Sequence, residues 1–379
     1  MRAQSAERAN PLARKLADRI AARGPIPFSE YMEACLYDPE HGYYSRPERT
    51  RFADYYTSVD VHPIFGRLIA RQLAEMWGLM DHPDPFWVVE SGAGAGRLAA
   101  HILDFAAARL PEFYEALRYA AVERSSARRA VHARMLAVHL AAGRADSRAD
   151  SPATVPAGCL LSNEMFDALP VHRVICERGN LREIYAGLRG DKFTDVIGDL
   201  SDPRIADYFT RQSIALRDEQ QAEAGITACE WIADAGRRLE RGFVLAVDYG
   251  YEAAELCSER RMRGTLLAYR NNRVSEDFYA EPGEQDLTAH ANFTAIAQWG
   301  KDAGLGRAGL VPQSRFLLAL GRGNEFADLY DDGQGELERL RSQMQLSSLI
   351  HPEGMGETFQ VLVLRKGVTD VPLTGLMPV

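Results

Sequence analysis

A glycine-rich turn that follows a short apolar segment constrains the fold of this chain more than any other feature. The apolar residues 86–89 run directly into Glu90-Ser91-Gly92-Ala93-Gly94-Ala95-Gly96, and a helical apolar period begins at Leu98. Glycines at a strand-to-helix turn allow the backbone to approach a ligand closely, because no Cβ atom intervenes. The sequence therefore predicts a ligand-binding turn at the carboxyl end of the first strand of an open α/β sheet.

Further apolar segments extend this pattern into a doubly wound sheet. The later strands are predicted at 119–122, 159–161, 243–247, 316–320 and 359–364. Helical patterns separate the first three strands, and strand–helix–strand alternation is typical of a parallel sheet. Residues 144–156 have a loop-like composition, so no strand is predicted there.

The domain organisation follows from the positions of these patterns. Residues 1–80 are predicted to form a helical N-terminal extension, and residues 81–379 the main domain. Strand-like alternation from Val171 onward interrupts the sheet pattern. We therefore expect an inserted substrate region at about 171–310.

Composition excludes several functional classes. With 44 Lys+Arg against 53 Asp+Glu, the net charge is −9, which disfavours general nucleic-acid binding because that binding relies on neutralising phosphates. The five cysteines and nine histidines show no metal-ligand spacing, so no metal site is predicted. No apolar run reaches the roughly 18 residues of a membrane-spanning helix. Residues 1–23 are interpreted as a structural helix capped by Asn10 rather than a targeting segment, and a cytoplasmic location is expected.

The turn favours S-adenosylmethionine as the cofactor. The G-x-G-x-x-G pattern of dinucleotide-binding proteins is only partly met, and S-adenosylmethionine has no pyrophosphate for such a pattern to bind. Glu123 ends the second strand, where a carboxylate can accept hydrogen bonds from both ribose hydroxyls. The predicted cofactor-binding residues are Glu90, Gly92, Gly94, Gly96, Glu123 and Asn163. A nicotinamide dinucleotide stays open as an alternative.

Polar residues also follow two later strands. The octapeptide Asn163-Glu164-Met165-Phe166-Asp167-Ala168-Leu169-Pro170 brings two acids, an amide and an aromatic ring to the end of one strand. Asp248-Tyr249-Gly250-Tyr251 ends the most apolar strand. A structural alternative for the octapeptide is helix capping by Asn163. No G-x-S-x-G nucleophile turn occurs, which disfavours serine hydrolase chemistry.

These motifs together resemble the MidA-type S-adenosylmethionine-dependent methyltransferases, and the likeness covers most of the chain. The mitochondrial members of that family are known as protein-arginine methyltransferases that assist the assembly of respiratory complex I. The segments that carry the resemblance are 37–39, 42–44, 54–58, 65–66, 89–96, 163–170, 248–251, 282–290 and 355–359. The octapeptide and the D-L-T-A-H segment at 286–290 are the most specific of them.

The resemblance implies an α/β fold of the class I methyltransferase type, a Rossmann-like doubly wound sheet whose last strand is antiparallel. It also implies a protein substrate with arginine as the acceptor, such as a subunit of a respiratory complex. From position and resemblance, the expected catalytic residues are Glu164, Asp167 and Asp248. The expected substrate-binding residues are Asp54, Thr57, Ser58, Tyr249, Asp286 and His290.

The chain departs from the family pattern at four positions. Ala53 replaces a glycine, Ala93 a proline, Ala95 an arginine and Asn272 a histidine. The departures at 93, 95 and 272 leave open a scaffold or assembly factor that has lost turnover. A nicotinamide-dependent oxidoreductase on the same fold also stays open.

Overall fold

The computed structural model describes residues 10–45, 58–271, 273–331, 333–351 and 355–378. The chain folds as two compact units. The first, called here the ribbon unit, comprises the described parts of Met1–Tyr55, Phe166–Glu230 and Tyr251–Ala295. The second, called the sheet unit, comprises the described parts of Tyr56–Met165, Trp231–Gly250 and Ile296–Val379.

The helices and strands have the following bounds. The helices are α1 (Pro11–Arg23), α2 (Phe28–Tyr37), α3 (Ser58–Val61), α4 (Ile64–Leu79), α5 (Arg97–Arg109), α6 (Pro111–Ala116), α7 (Ser126–Met135), α8 (Ala137–Ala141), α9 (Arg204–Arg211), α10 (Ile226–Arg238), α11 (Ala253–Leu256), α12 (Phe293–Asp302), α13 (Gln313–Arg322) and α14 (Glu336–Ile350). The strands are β1 (Ile26–Pro27), β2 (Phe86–Ser91), β3 (Leu117–Val122), β4 (Ala145–Arg148), β5 (Val155–Asn163), β6 (His172–Glu177), β7 (Asn180–Arg189), β8 (Lys192–Gly198), β9 (Gln221–Ala224), β10 (Leu239–Tyr251), β11 (Leu267–Arg270), β12 (Arg273–Ser275), β13 (Asp286–Thr288), β14 (Ala291–Asn292), β15 (Gly306–Pro312) and β16 (Phe359–Lys366).

The sheet unit is built on strands in the order β15-β16-β10-β5-β2-β3-β4. The pairs from β10 to β4 are parallel, whereas β16 is antiparallel to both β10 and β15. The central strands β5 and β10 are almost continuously buried, as expected when helices cover both faces of a parallel sheet. The carboxyl ends of β2, β3, β5 and β10 therefore lie along one edge. This topology confirms the predicted α/β fold class and its antiparallel last strand.

The ribbon unit is antiparallel. Strands β1, β7, β6 and β9 pair in that order, β8 pairs with β7, and β12, β11 and β13 form a smaller sheet. Helix α1 begins as predicted, because Asn10 Oδ1 accepts a hydrogen bond from the Leu12 amide at 2.9 Å. Leu12, Leu16 and Ile20 are buried as one apolar stripe of this helix. The boundaries predicted at 80, 171 and 310 stay predictions.

Two local predictions are wrong. Residues 316–320 lie in helix α13 rather than in a strand, and Phe316, Leu317 and Leu320 are buried at helical spacing. An apolar run of five residues does not distinguish a strand from a buried helical turn. Strand β4 lies in the segment expected to be a loop. Its residues are only partly buried, and its pairing with β3 rather than its own composition makes it a strand.

Candidate functional site

The glycine turn has the backbone geometry that its composition predicts. Gly92, Gly94 and Gly96 have φ values of 73°, 55° and 81°, which lie in the left-handed region that favours glycine. The amide of Ala93 donates to the carbonyl of Val122 at 3.0 Å, which fixes the turn to the end of β3. Helix α5 begins directly after the turn. The structure thus places a turn with three glycines, exposed at Gly92, at the ligand-binding edge of the sheet.

Glu123 closes over this turn from the end of β3. Its Oε2 accepts a hydrogen bond from the Gly94 amide at 2.9 Å, and its Oε1 accepts one from the Ser125 amide at 2.8 Å. Each carboxylate oxygen can accept a second hydrogen bond. The side chain is therefore held in place and keeps acceptor capacity for the two ribose hydroxyls of a nucleoside.

His132 contacts the backbone of the turn and was not among the residues predicted from sequence. Its side chain is fully buried, with Nε2 2.9 Å from the Gly94 carbonyl oxygen and Nδ1 2.8 Å from the Ser147 hydroxyl. A carbonyl oxygen only accepts, so Nε2 donates the proton in the contact with Gly94. Ser147 lies on β4, so the unpredicted strand helps to position the turn. No motif signals this contact, because it joins distant parts of the chain.

Glu90, on β2 before the turn, has a buried carboxyl group. Its Oε2 accepts a hydrogen bond from the Tyr119 hydroxyl at 2.8 Å. The pKa of Glu90 is raised to about 7, chiefly by burial and further by the charge of the nearby Glu123, although the Tyr119 hydrogen bond opposes the rise. A group with a raised folded-state pKa favours folding when protonated. Its contribution to stability is lost as the pH rises from about 4.5 through about 7.

Substitution Glu90→Gln should make the sheet unit more resistant to alkaline pH. Glutamine does not ionise, so the variant is not subject to the energetic cost of a buried carboxylate. Its advantage in unfolding free energy over the parent should grow by roughly 2.5 kcal/mol between pH 5 and pH 8. Urea unfolding at both pH values, without cofactor, measures the difference. If the difference in unfolding free energy between the two proteins were the same at both pH values, the assigned pKa shift would be refuted.

The end of β5 carries the next predicted group. Glu164 adopts a left-handed φ of 52°, and its amide donates to the Val247 carbonyl at 2.9 Å. The side-chain Nδ2 of Asn163 donates to Glu164 Oε1 at 3.2 Å, which orients the carboxylate. Asn163 Oδ1 is buried and has no hydrogen-bond partner among the described residues. No helix begins within residues 163–171, so the capping alternative for Asn163 is wrong.

Asp248 anchors this segment to β10. It is fully buried, and its two oxygens accept backbone amides, from Met165 at 3.0 Å and from Tyr249 at 2.9 Å. These contacts support a positioning role for Asp248. The ring of Tyr249 packs on Phe359 with centroids 3.9 Å apart, which fixes the end of the strand against β16.

The ribbon unit brings two other predicted acids together. Asp167 and Asp286 are both buried, and the Tyr44 hydroxyl donates to the two oxygens of Asp286 at 2.8 and 2.9 Å. Burial raises the pKa of Tyr269, and the negative charges of Asp167 and Asp286 raise it further, as expected when both acids lie near its hydroxyl. Tyr37 stacks on Tyr44 with centroids 5.5 Å apart. The result is an acidic cluster lined by tyrosine rings. One of these residues, Tyr269, was not predicted from sequence.

His290 lies in the same unit near a different aromatic ring. Its backbone amide donates to the Thr265 hydroxyl at 3.0 Å, and its ring centroid is 5.6 Å from that of Tyr251. Burial, together with the positive charge of Arg261, lowers the pKa of His290 to about 4. The imidazole is therefore neutral at pH 7.

Several predicted positions lie outside the described residues. These are Asp54 and Thr57, the side chain of Ser58, and the departures Ala53 and Asn272. Within the part of the chain that the structure describes, no three His, Cys, Asp or Glu residues are grouped as a metal site. The helices described there include none that is both long and apolar enough to span a membrane.

A separate cavity of about 870 Å³ lies in the sheet unit, lined partly by α4 and α5. Its arginines are held by acids of its own lining, Arg71 by Asp328 at 2.8 Å and Arg67 by Asp331 at 2.5 Å. None of the predicted site residues lines it. We therefore assign the glycine turn, rather than this cavity, as the candidate site.

Comparisons with known proteins agree with this geometry. Residues 68–311 match the family model described as "Putative S-adenosyl-L-methionine-dependent methyltransferase". The chain is similar to a Burkholderia thailandensis protein crystallised with S-adenosyl-homocysteine, with 29% identity, a TM-score of 0.86 and coverage of 96% of this chain and 94% of the other.

Two curated relatives match along nearly the whole chain. The protein arginine methyltransferase NDUFAF7 homolog of Drosophila melanogaster is 27% identical over 94% of this chain and 85% of its own length. Protein arginine methyltransferase NDUFAF7 of Homo sapiens is 26% identical over 93% of this chain and 83% of its own length. Both names include the word mitochondrial, which overturns the cytoplasmic location predicted from sequence.

Proposed function

The chain belongs to the family of S-adenosyl-L-methionine-dependent methyltransferases, and from that premise we propose that it methylates arginine side chains of a protein. The enzyme class and the cofactor follow from the family, which confirms the resemblance and disfavours the nicotinamide alternative. The arginine acceptor is supported by one observation above all. Relatives named as protein arginine methyltransferases match 93–94% of this chain. A respiratory-complex subunit as the acceptor protein stays a prediction from the resemblance.

The residues at the glycine turn fit this cofactor. Gly92 and Gly94 have left-handed φ values, and neither puts a Cβ atom between the backbone and an adenosine or an amino-acid tail. Glu123 has acceptor capacity for ribose hydroxyls. Asn163 Oδ1, buried without a partner among the described residues, is suited to accept a hydrogen bond from the cofactor's ammonium group. We propose that these residues bind it, with His132 positioning the turn.

The cofactor supplies a methyl group activated by a sulfonium. A new N–C bond forms on the guanidinium as the C–S bond breaks, and the nitrogen loses one proton. Arginine does not deprotonate freely near pH 7, because its pKa exceeds about 12. We propose that Glu164 accepts this proton as methylation proceeds, with its carboxylate oriented by Asn163.

In the ribbon unit, Asp167 and Asp286 are proposed to attract guanidinium groups of the acceptor protein. Carboxylates bind guanidinium groups through charge-assisted hydrogen bonds, and tyrosine rings add cation–π attraction. The cluster with Tyr44 and Tyr269 combines both features. A backbone hydrogen bond joins the two segments that carry these acids, because the Ala289 amide donates to the Asp167 carbonyl at 2.9 Å.

Substitution Glu164→Gln should lower the methylation rate at least about ten-fold, since general base catalysis typically contributes that much or more. The assay incubates the protein with labelled methyl donor and host lysate, and mass spectrometry locates the labelled residues. Cofactor affinity, measured by calorimetry, should change little. Glu325→Gln is a matched control, because Glu325 has nearly the same φ, 53°, and is exposed elsewhere in the sheet unit.

Two outcomes separate the parts of this proposal. Methylation at the parent rate by the Glu164→Gln variant would refute the role of that carboxylate. Label on lysine or on a carboxyl group, with no methylarginine, would refute the arginine acceptor and leave the methyltransferase assignment standing.

A further inference from the structure

Helix α14 has two apolar faces. Leu346 and Leu349 pack into the core of the sheet unit, where Leu349 is fully buried. Leu337, Leu340 and Met344 point away from that core and are 75%, 50% and 72% exposed. Their spacing of three and four residues places them along one side of the helix. We call these three residues the α14 stripe.

The stripe is unusual among the exposed apolar residues that the structure describes. The other large exposed side chains, such as Val138 and Val274, occur singly on their elements. Single exposed apolar residues are common in proteins, but a contiguous row on one helix face is typical of an interaction surface. Folding of the chain does not require the stripe, since the opposite face of α14 already anchors the helix.

The charges beside the stripe follow a heptad pattern. With Leu337 and Met344 at a positions, Leu340 is at d, Glu336 at g and Arg341 at the following e. Both charged side chains are exposed. In a parallel pair of helices, g of one helix faces the following e of its partner. Two copies of α14 side by side would therefore form two Glu336–Arg341 pairs related by symmetry.

We propose that the α14 stripe is the contact surface for a second copy of this chain, with the two α14 helices parallel about a two-fold axis. Leu340 of each copy then faces the same residue of the other across the axis. Only about one and a half heptads take part, so the contact buries less than the roughly 1,200 Å² of a standard interface. We expect a reversible dimer that forms with increasing protein concentration.

Sedimentation equilibrium over a wide concentration range tests the proposal with the full-length protein. The parent should shift from monomer to dimer, and Leu337→Glu with Met344→Glu should raise the dissociation constant at least ten-fold. Val138→Glu is the control, because Val138 is 74% exposed on α8 and outside the stripe. It should dimerise like the parent. A parent that is monomeric at every concentration would overturn the proposal.

Charge exchange and cross-linking test the orientation. Glu336→Arg and Arg341→Glu should each weaken dimerisation, and the double exchange should restore it. Leu340→Cys should form a disulfide between copies under mild oxidation, whereas Val138→Cys should not. If instead Leu337→Cys cross-links only to Met344→Cys in a mixture of the two variants, the helices are antiparallel and the proposed pairing is wrong. Cofactor affinity of each variant verifies that it is folded.

Discussion

Replacement of Gly96 by valine is expected to weaken S-adenosylmethionine binding at least about a hundred-fold. Gly96 has a φ of 81°, and a Cβ added there would lie 3.1 Å from Cδ2 of His132. The imidazole has little freedom to move, because hydrogen bonds to Gly94 and Ser147 hold it on both sides. A β-branched residue adds backbone strain of about 1–3 kcal/mol to this contact. The turn must shift, and a loss of about 3 kcal/mol in binding is a hundred-fold in affinity.

Titration calorimetry measures this loss, and Gly143→Val provides the matched control. Gly143 also has a left-handed φ, 68°, but a Cβ there would meet nothing within 4 Å. The control variant carries similar backbone strain without the contact to His132, so its cofactor affinity should equal that of the parent. A folded Gly96→Val variant with parental affinity would mean that the turn does not hold the cofactor.

The parts of the sheet that could be predicted are those encoded locally. Residues 86–89 and 243–247 are continuously apolar because both faces of their strands are covered, and each ends in polar or glycine residues. The glycine turn was predictable for the same reason, since its left-handed φ values demand glycine at fixed positions. Strand β4 was not predictable, because its residues form a strand only through pairing with β3.

The candidate site shows the same limit. Glu90 and Glu123 could be identified from their positions at strand ends. The burial that raises the pKa of Glu90, and the hydrogen bond from Tyr119, 29 residues away, that opposes this rise, could not be identified in the same way. His132 carries no motif, and its role arises from contacts with Gly94 and Ser147. Position along a strand is readable from sequence, whereas the environment of a side chain depends on which strands become neighbours.

Substitution Gly158→Ala should unfold the sheet unit. Gly158 lies in β5 between β2 and β10, and a Cβ added there would lie 2.0 Å from the carbonyl oxygen of Trp87. The clashing atom belongs to the backbone of the strand that supports the glycine turn, so no side-chain rotation relieves the contact. Separating β2 from β5 would break their hydrogen bonds along the ladder. We expect a loss of more than about 4 kcal/mol, comparable to the whole stability of many domains.

Thermal unfolding and the soluble fraction after expression measure this effect, with Gly323→Ala as the control. Gly323 has an ordinary φ of −61°, and a Cβ there meets nothing within 4 Å. Its substitution should change stability by no more than about 1 kcal/mol, in the stabilising direction, because alanine reduces the freedom of the unfolded chain. If Gly158→Ala melted at the parent temperature, β2 and β5 could not be as close as the register Trp87–Gly158 requires, and the glycine turn would not stand at the edge of this sheet.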